Sequence, residues 1–444
     1  MTRLPAFTLV VCACGQPSGG SQPAASKPVT ITCNASGAGA GITVDAASKL
    51  GPLRSLQGFL HGIDARATFD QPLIAALKPA FWRFGTGSDT LFPKISGFGA
   101  KLTYVVSDGY ADSRGGYSKA RPWEDWAGTE SFITSAAQAN LQAGRPITFF
   151  DAWGEPQGGT PWLGTYDQLL EYYARTIRTL RAADPTAKVI GPTYDDFEGT
   201  IEGHGLFDVI VDLDARYQLR FDAIAWHELG AQPAEQLPAH TASLRQRLAA
   251  RFPGYQPELH VNEYANTAQH LVPGWSVGWL FYLTEANVDA ANRACWNVPG
   301  EGWSDCWAGL NGLLRPDNRT PQHTYWVHRS YADLVDGQRL RTTSTDPHAV
   351  ALAVQQSQHL LLLTGRFASS PAAPLTLTLQ GLPPNTTSVD VTASVIPATG
   401  VPGALPAPQT PAPCHATVGD GGLTVLVNDY PDGAAVSFDV TLTP

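Results

Sequence analysis

Charged residues are scarce in this 444-residue chain: they make up 15% of it, against 43% for hydrophobic residues. The chain is acidic, with a formal net charge of -10, and it has no dense run of lysine and arginine. Nucleic-acid binding needs a basic face that displaces counterions from the phosphates, so this composition argues against a polyanion as partner. The hydrophobic content also excludes a disordered chain or a coiled coil.

Several short cofactor and catalytic motifs are missing. The glycine-rich segment 37–41 lacks the G-x-G-x-x-G spacing of a dinucleotide-binding turn, and we interpret it as a flexible turn. The pair His227-Glu228 is not followed by the second histidine of an H-E-x-x-H zinc motif. We therefore expect no cofactor and no metal.

Long apolar runs are also absent, because no segment after the N-terminus approaches the roughly 18 apolar residues of a membrane span. Residues 1–16 combine one arginine, a short apolar run, Cys12 and Cys14, which resembles a bacterial lipoprotein signal with lipidation at Cys14. Residues 15–28 then form a flexible tether. This interpretation predicts an extracytoplasmic protein, secreted or lipid-anchored at the cell envelope. The alternative is the disordered start of a cytosolic protein.

Four cysteines remain once the two in the leader are set aside. An even number is consistent with two disulfides in an oxidising compartment. Cys295 and Cys306 are close in a loop rich in tryptophan and glycine, so we pair them, and the pair Cys33 and Cys414 follows by elimination. Zinc is the rival interpretation, but no C-x-x-C spacing or paired-histidine motif supports it.

From residue 52 to residue 335, short apolar runs alternate with amphipathic stretches, which is typical of β/α units around a parallel sheet. Eight strands are predicted, the number in a (β/α)8 TIM barrel. A doubly wound sheet usually needs fewer strands and a glycine-rich turn after the first. The predicted strands are Leu56–Ile63, Ala80–Phe84, Leu102–Val106, Ile147–Asp151, Val189–Gly191, Phe221–Trp226, Glu258–Asn262 and Arg293–Trp296, and predicted helices include Tyr166–Ala183, Ala234–Ala250 and Thr324–Leu334.

Residues 336–444 change to alternating apolar and polar positions, interrupted by proline, glycine and asparagine turns. This pattern predicts an antiparallel β-sandwich of about 100 residues. The apolar segment 29–33 has no partner near it in sequence, so we expect residues 29–51 to join the sandwich. The predicted fold is therefore an α/β TIM barrel with an accessory antiparallel β-sandwich domain.

In a TIM barrel, functional residues collect at the carboxyl ends of the strands. Glu155 follows the fourth predicted strand, and Glu263 follows the seventh. Two carboxylates in an aromatic cleft are what a retaining glycosidase needs, one as proton donor and one as nucleophile. Repulsion and burial can raise the pKa of the donor, while Arg83 and Asn262 can keep the nucleophile charged.

The segments Trp153–Pro156 and Asn262–Tyr264 resemble the acid/base and nucleophile motifs of clan A glycoside hydrolases. They are most similar to those of family 39, which holds β-xylosidases and α-L-iduronidases. Arg83 resembles the second-strand arginine of the clan, and His227 resembles a sixth-strand histidine of the family. The resemblance implies a barrel with a β-sandwich, a carbohydrate substrate, and a retaining mechanism.

On this basis Glu155 is the expected acid/base and Glu263 the expected nucleophile. The candidate substrate-binding residues lie at strand ends or in the last loop of the barrel, where flat rings suit the apolar faces of sugars: His61, Arg83, Trp153, His227, Asn262, Tyr264, Trp296, Trp303 and Trp307. Trp82 and Trp226 also stand at strand ends and extend the proposed aromatic cleft.

Structural alternatives compete with several of these roles. Glu155 is also explained as an acid at a helix N-terminus, and Glu263 as a structural carboxylate. Arg83 is also explained as the partner of a buried acid, and the last three tryptophans as core residues. Asp195 and Asp196 are interpreted as solvated loop acids.

Gly154 departs from the clan pattern, which usually has an asparagine there in contact with the 2-hydroxyl of the sugar. Glycine cannot make that hydrogen bond. Either His227 or Asn262 supplies the contact, or the substrate differs at that carbon, or activity is lost. Two hypotheses remain: a retaining hydrolase, and a catalytically impaired carbohydrate-binding protein. Endo or exo action depends on whether loops such as 107–126 close the cleft.

Overall fold

The computed structural model describes residues 28–63, 68–85, 91, 94–142, 144, 147–158, 162–230, 234–298, 300–368, 373–419 and 422–444. The predicted leader, with Cys12 and Cys14, lies outside the described residues. Among the helices that are described, none combines the length and apolar character needed to cross a membrane.

Parallel strands form a closed barrel, which confirms the predicted TIM-barrel fold. Eight strands of the described chain make up its wall: β3 (Gly58–Leu60), β4 (Phe81–Phe84), β5 (Lys101–Val105), β6 (Ile147–Asp151), β7 (Lys188–Tyr194), β10 (Ala223–Glu228), β11 (Glu258–Tyr264) and β12 (Ala290–Arg293). The wall follows chain order, and β12 closes it against β3. A small hairpin, β8 (Thr200–Ile201) and β9 (His204–Gly205), lies between β7 and the next helix.

Helices cover the outside of this barrel. Those of the described residues are α1 (Gln71–Ala76), α2 (Val106–Arg114), α3 (Trp126–Gln142), α4 (Tyr166–Ala183), α5 (Leu206–Tyr217), α6 (Leu237–Arg251), α7 (Pro273–Glu285) and α8 (His323–Leu334). Helix α4 shows why the sequence pattern succeeded. Thr165 and Gln168 form a reciprocal capping box at its start, and its apolar face is buried in the core.

The eighth barrel strand ends earlier than predicted. It spans Ala290–Arg293, whereas the sequence pattern placed it at 293–296. The chain leaves the wall after Arg293, because Cys295 is tied to Cys306 and the backbone N–H of Trp296 bonds to the carboxylate of Asp305. The apolar Cys295 and the large Trp296 gave a stronger strand signal than the small alanines that form the strand.

The accessory domain is one continuous sheet of the described chain. Its ten strands are β1 (Thr30–Cys33), β2 (Ala40–Pro52), β13 (Gln338–Ser344), β14 (Ala349–Gln356), β15 (His359–Arg366), β16 (Leu375–Gln380), β17 (Ser388–Ile396), β18 (Cys414–Thr417), β19 (Leu423–Asn428) and β20 (Ala435–Thr443). They follow the order β1-β19-β16-β2-β13-β14-β15-β20-β17-β18. Pairing is antiparallel throughout except between β2 and β16, which are parallel.

The two edge strands of this sheet, β1 and β18, meet. The Cys33–Cys414 disulfide joins them, with 5.7 Å between the two Cα atoms, so the sheet folds back on itself around its own apolar core. The second disulfide joins Cys295 and Cys306, so both predicted pairings are confirmed.

The sheet packs directly against the barrel. Strands β14 and β15 bury one face inside the sheet's own core and the other against helices α7 and α8. Leu352 and Leu363 contribute to this contact from the sheet, and Val277 and Val327 from the helices. The burial of apolar surface on both faces explains why β14 is apolar at every position from Ala349 to Val354 rather than alternating.

Candidate active site

Glu155 lies just beyond the carboxyl end of β6, in a left-handed backbone conformation with φ of 53°. Its N–H donates to the carbonyl of Thr193, 2.8 Å away, and Gly154 forms a bridge with the same residue. A non-glycine residue in this conformation costs about 1–2 kcal/mol, which the surrounding contacts must offset. The described residues that follow it form a three-residue 3-10 turn, Pro156–Gly158, which does not supply the dipole of a long helix.

Glu263 lies near the carboxyl end of β11, with 15% of its side chain exposed. Nη1 of Arg83 donates to its Oε1 over 2.8 Å. The other side of the Arg83 guanidinium faces Asp151, with Nε at 3.1 Å and Nη2 at 3.0 Å from Oδ2. Arg83 therefore pairs with a buried acid and with the candidate nucleophile at once.

Asp151, the last residue of β6, is the fully buried anchor of this network. It also accepts hydrogen bonds from Thr193 Oγ1 at 2.7 Å and from Asn262 Nδ2 at 3.0 Å. Asn262 is therefore a fully buried partner of Asp151 rather than a residue on the cleft surface. Sequence analysis missed Asp151, although an acid at a strand end was a signal for it.

His227 lies between the two glutamates. Its Nδ1 is 3.0 Å from Oε1 of Glu155, and its Nε2 is 3.9 Å from Oε1 of Glu263. The side chain is only 1% exposed, and Nε2 has no hydrogen-bond partner among the described residues. One carboxylate oxygen of each glutamate and a ring nitrogen of His227 all lie within 4.8 Å of one another.

Charge and burial act differently on the three groups. Burial raises the pKa of Glu263, and the opposing charges of His227 and Arg83 do not overcome it. Burial acts in the same sense on Glu155, but the hydrogen bond and charge of His227, together with Arg83, hold its pKa below the ordinary value. Burial lowers the pKa of His227, yet the charge of Glu263 and the hydrogen bond to Glu155 raise it overall. These pKa shifts favour the charge state in which His227 is protonated and Glu155 is ionised.

Among the residues that the structure describes, two groups of side chains have the proximity that a metal ion needs. In the first, Glu155, His227 and Glu263, the guanidinium of Arg83 already supplies a positive charge 2.8 Å from Glu263. In the second, Cys295 and Cys306 are joined in a disulfide next to Asp305, so they offer no thiolate ligands. We assign a metal to neither group.

Gly154 has no room for a larger residue without rearrangement. A Cβ atom there would lie 3.1 Å from Nη2 of Arg83 and 3.9 Å from Oγ of Ser107. The N–H of Gly154 donates to Oγ of Ser107 over 3.1 Å. The space in which an asparagine side chain would begin therefore faces Arg83 and Ser107.

Segment 107–126, expected to be a loop, contains most of helix α2 and two 3-10 turns, Tyr117–Lys119 and Pro122–Glu124. It brings three polar residues to the site that sequence analysis did not select. The hydroxyl of Tyr117 donates to the carboxylate of Asp108 and lies 3.4 Å from Oγ of Ser107. The serine and the acid follow directly after β5, and this position was the signal that could have identified them.

Several predicted aromatic contacts are corrected by burial. Trp153 and Tyr264 have no exposed surface, because they pack against Trp162 and Trp279. Trp82 and Trp226 are also fully buried, so none of these rings offers a face to a sugar. Bulky aromatic residues at strand ends fill the space between barrel and helices instead.

The rings that remain accessible lie after β12. Trp307 is 49% exposed and stacks on His61, with ring centroids 5.0 Å apart. Trp303 is half-buried, and Trp296 is half-buried with its indole N–H donating to the carbonyl of Ala265. The Cys295–Cys306 disulfide fixes this loop.

The two loop acids after β7 differ in their surroundings. Burial, followed by the charge of Glu155, raises the pKa of Asp195, which is half-buried beside the site. Asp196 is exposed and accepts the N–H of Glu198, as expected for a loop acid.

Comparison with solved structures identifies the fold. Protein N2152 from Neocallimastix frontalis is similar over 91% of this chain and 100% of its own, with a TM-score of 0.76 and 18% identity. A monomeric beta-xylosidase from Caulobacter crescentus CB15 is similar over 90% of this chain and 99% of its own, with a TM-score of 0.65 and 14% identity. The GH39 enzyme from Xanthomonas axonopodis pv. citri is similar over 91% of this chain and 97% of its own, with a TM-score of 0.63 and 15% identity. No family model and no curated protein matches the sequence. The chain thus shares the fold of these proteins over about nine tenths of its length, which is the fold that the clan A resemblance predicted.

Proposed function

We propose that the protein is a retaining glycoside hydrolase of the family 39 type that cleaves O-glycosidic bonds in oligo- or polysaccharides. The observation that carries this proposal is the close approach of Glu155 and Glu263, whose oxygens lie within 4.8 Å of each other around His227. Retaining enzymes hold their two carboxyl groups about 5–5.5 Å apart, while inverting enzymes leave a gap of about 6.5–9.5 Å for water.

In the first step Glu263 attacks the anomeric carbon while Glu155 gives its proton to the leaving oxygen, and the sugar becomes covalently attached to Glu263. Because Arg83 bonds Oε1, we assign the attack to Oε2. In the second step Glu155 takes a proton from water, whose oxygen attacks the anomeric carbon and releases Glu263.

Glu155 must carry a proton before it can act as an acid. His227 is its source in this proposal: the Nδ1 proton moves along the 3.0 Å hydrogen bond to Oε1 of Glu155, and the imidazole becomes neutral. Bound sugar excludes water and so favours the neutral carboxyl group over the charged pair. His227 therefore serves as a positioning residue and proton reservoir.

The lowered pKa of Glu155 in the unliganded protein favours a second candidate function, a carbohydrate-binding protein that does not turn over its ligand. Gly154 supports the same candidate, because it removes a side-chain contact to the sugar. A protein of this kind keeps the sugar-binding cleft but lacks a working acid catalyst at Glu155.

Hydrolysis of an aryl-glycoside and polysaccharide panel separates the two candidates. We expect turnover on at least one member, and a loss of about a thousandfold or more in kcat for Glu263→Gln and for Glu155→Gln on natural leaving groups. Glu198→Gln, an exposed glutamate in the loop after β7, is the matched control and is expected to retain activity. Sugar binding without any product would instead establish the binding protein.

We also propose an extracytoplasmic location. Both disulfides support it, because such bonds persist mainly in oxidising compartments. Lipid anchoring through Cys12 or Cys14 remains a proposal from the sequence, which mass spectrometry of the mature N-terminus from the native host tests.

A further inference from the structure

The proposed mechanism uses the carboxylates of Glu155 and Glu263. A third carboxylate near them, that of Asp108, has no role in it. Asp108 lies in the first turn of α2, and 20% of its side chain is exposed. Its Oδ1 accepts the hydroxyl of Tyr117, and its Oδ2 lies 3.8 Å from Nε2 of His61. The carboxylate is therefore fixed in place while part of it stays open to a ligand.

The backbone is built to admit this side chain. Gly85 follows β4, and a Cβ atom on it would come within 2.6 Å of Cγ of Asp108. A larger residue at 85 would displace the carboxylate from the floor of the cleft. Glycine at position 85 therefore leaves free the space that the Asp108 side chain occupies.

Burial raises the pKa of Asp108, whereas the charge of Arg83 and the hydrogen bond from Tyr117 oppose that rise and favour the ionised carboxylate. Burial, followed by the charge of Arg83, lowers the pKa of His61 to about 3, so the imidazole beside Asp108 is neutral at pH 7. Arg83 is already bonded to Asp151 and Glu263.

Acidic groups outnumber basic ones around the candidate catalytic pair. Burial raises the pKa of Glu263 against the charges of His227 and Arg83, and the charges of Glu155 and Asp108 add to the rise. Of the ionisable groups described here, the acids are Asp108, Asp151, Glu155, Asp195 and Glu263, and the bases that carry charge are Arg83 and His227.

We infer that Asp108 makes the cleft selective for uncharged sugars: it accepts a hydrogen bond from a hydroxyl of the sugar beside Glu263, and the excess of acidic groups repels a uronic acid. The inference rests on the proposed function, because it concerns the same site. Trp307 supports the inference, because its exposed ring stacks on His61, and His61 lies beside Asp108. The three side chains therefore connect the solvent-exposed surface with the carboxylate. Sugar hydroxyls donate strongly to a carboxylate, and a second carboxylate cannot replace them.

Calorimetric titration at pH 7 tests this selectivity with two matched pairs of free sugars, glucose with glucuronic acid and galactose with galacturonic acid. The members of a pair differ in the oxidation state of C6, and free sugars present both anomers. We expect the better-bound neutral sugar to bind about tenfold or more tightly than its acid, and Asp108→Asn to narrow this ratio about threefold or more. Asp112→Asn, an exposed acid on the same helix, is the control and leaves the ratio unchanged.

Equal or tighter binding of the uronic acid to the wild type overturns the inference, and so does an unchanged ratio in Asp108→Asn or a lack of binding by all four sugars. The wild-type ratio needs no variant, so misfolding of Asp108→Asn does not block the test. Selective binding of neutral sugars without hydrolysis of any substrate contradicts the proposed function and supports this inference. Hydrolysis of glucuronides as fast as glucosides supports the proposed function and contradicts this inference.

Discussion

Arg83 donates to Glu263 through Nη1, over 2.8 Å, while the rest of its guanidinium is held by the fully buried Asp151. One cation thus fixes a partly exposed carboxylate to an inaccessible one. The position of Glu263 in the cleft is set by the barrel interior, since Asp151 is itself bonded to Thr193 and Asn262. The charge of Arg83 opposes the rise in pKa that burial causes at Glu263, and so it favours the ionised form that the proposed nucleophile needs.

Arg83→Met is expected to lose both stability and activity. Removing one member of a buried ion pair leaves Asp151 uncompensated, at a cost of about 3–5 kcal/mol in the free energy of unfolding. Loss of the charge beside Glu263 is expected to lower kcat about a hundredfold or more. Urea unfolding and turnover of the best panel substrate measure the two effects. The control is Arg216→Met, whose pair with Asp167 is exposed and contributes about 0–1 kcal/mol; equal losses in both variants would refute the network.

His227→Asn is expected to change the pH dependence of stability. The folded protein raises the pKa of His227 above its ordinary value of about 6.5, so the stabilisation is fully present below that pH and is lost as pH rises through the folded pKa. The difference in free energy of unfolding between wild type and His227→Asn should therefore shrink from pH 6 toward alkaline pH. Urea titrations at several pH values test this. A difference that grows with pH would show that the histidine is held neutral.

Trp307→Ala is expected to weaken saccharide binding about tenfold with little effect on folding, because the ring is about half exposed and stacks on His61. Trp153→Ala is the matched comparison. That ring is fully buried against Trp162, so its removal should cost about 3–5 kcal/mol in stability. Calorimetric binding and thermal unfolding of both variants are the measurements. If Trp307→Ala binds sugar like wild type, the exposed ring is not part of the cleft.

Thiol titration of the denatured, leader-free chain should find no reactive thiol without reductant and four after reduction, since Cys33, Cys295, Cys306 and Cys414 are all paired. Equal counts under the two conditions would contradict both disulfides. Peptide mapping without reduction distinguishes the observed pairing from its alternatives.

Much of the fold could be predicted from the sequence, because periodicity reports burial directly. The strand from Ile147 to Asp151 and the helix from Tyr166 to Ala183 were located to the residue. The offset of the eighth strand shows the limit of the method, since small alanines carry little pattern.

The candidate site was only partly predictable. Strand ends identified the positions of Glu155 and Glu263, because a parallel barrel gathers those ends at one face. Asp151 was missed because its partners lie 68 and 111 positions away in the chain, and no local pattern reports such contacts. The burial of Trp153 was missed for a similar reason: the sequence does not say which way a residue just after a strand faces.

The Cys33–Cys414 disulfide encloses the whole barrel segment between two strands of one sheet. A tensile force applied between the two ends of the mature chain would therefore run through the sulfur–sulfur bond and bypass the barrel. If the N-terminus is held at a membrane while the C-terminal end is bound or pulled, the load falls on the accessory sheet. In the same way, a protease cut within the barrel would leave two fragments that remain one covalent molecule until the disulfide is reduced.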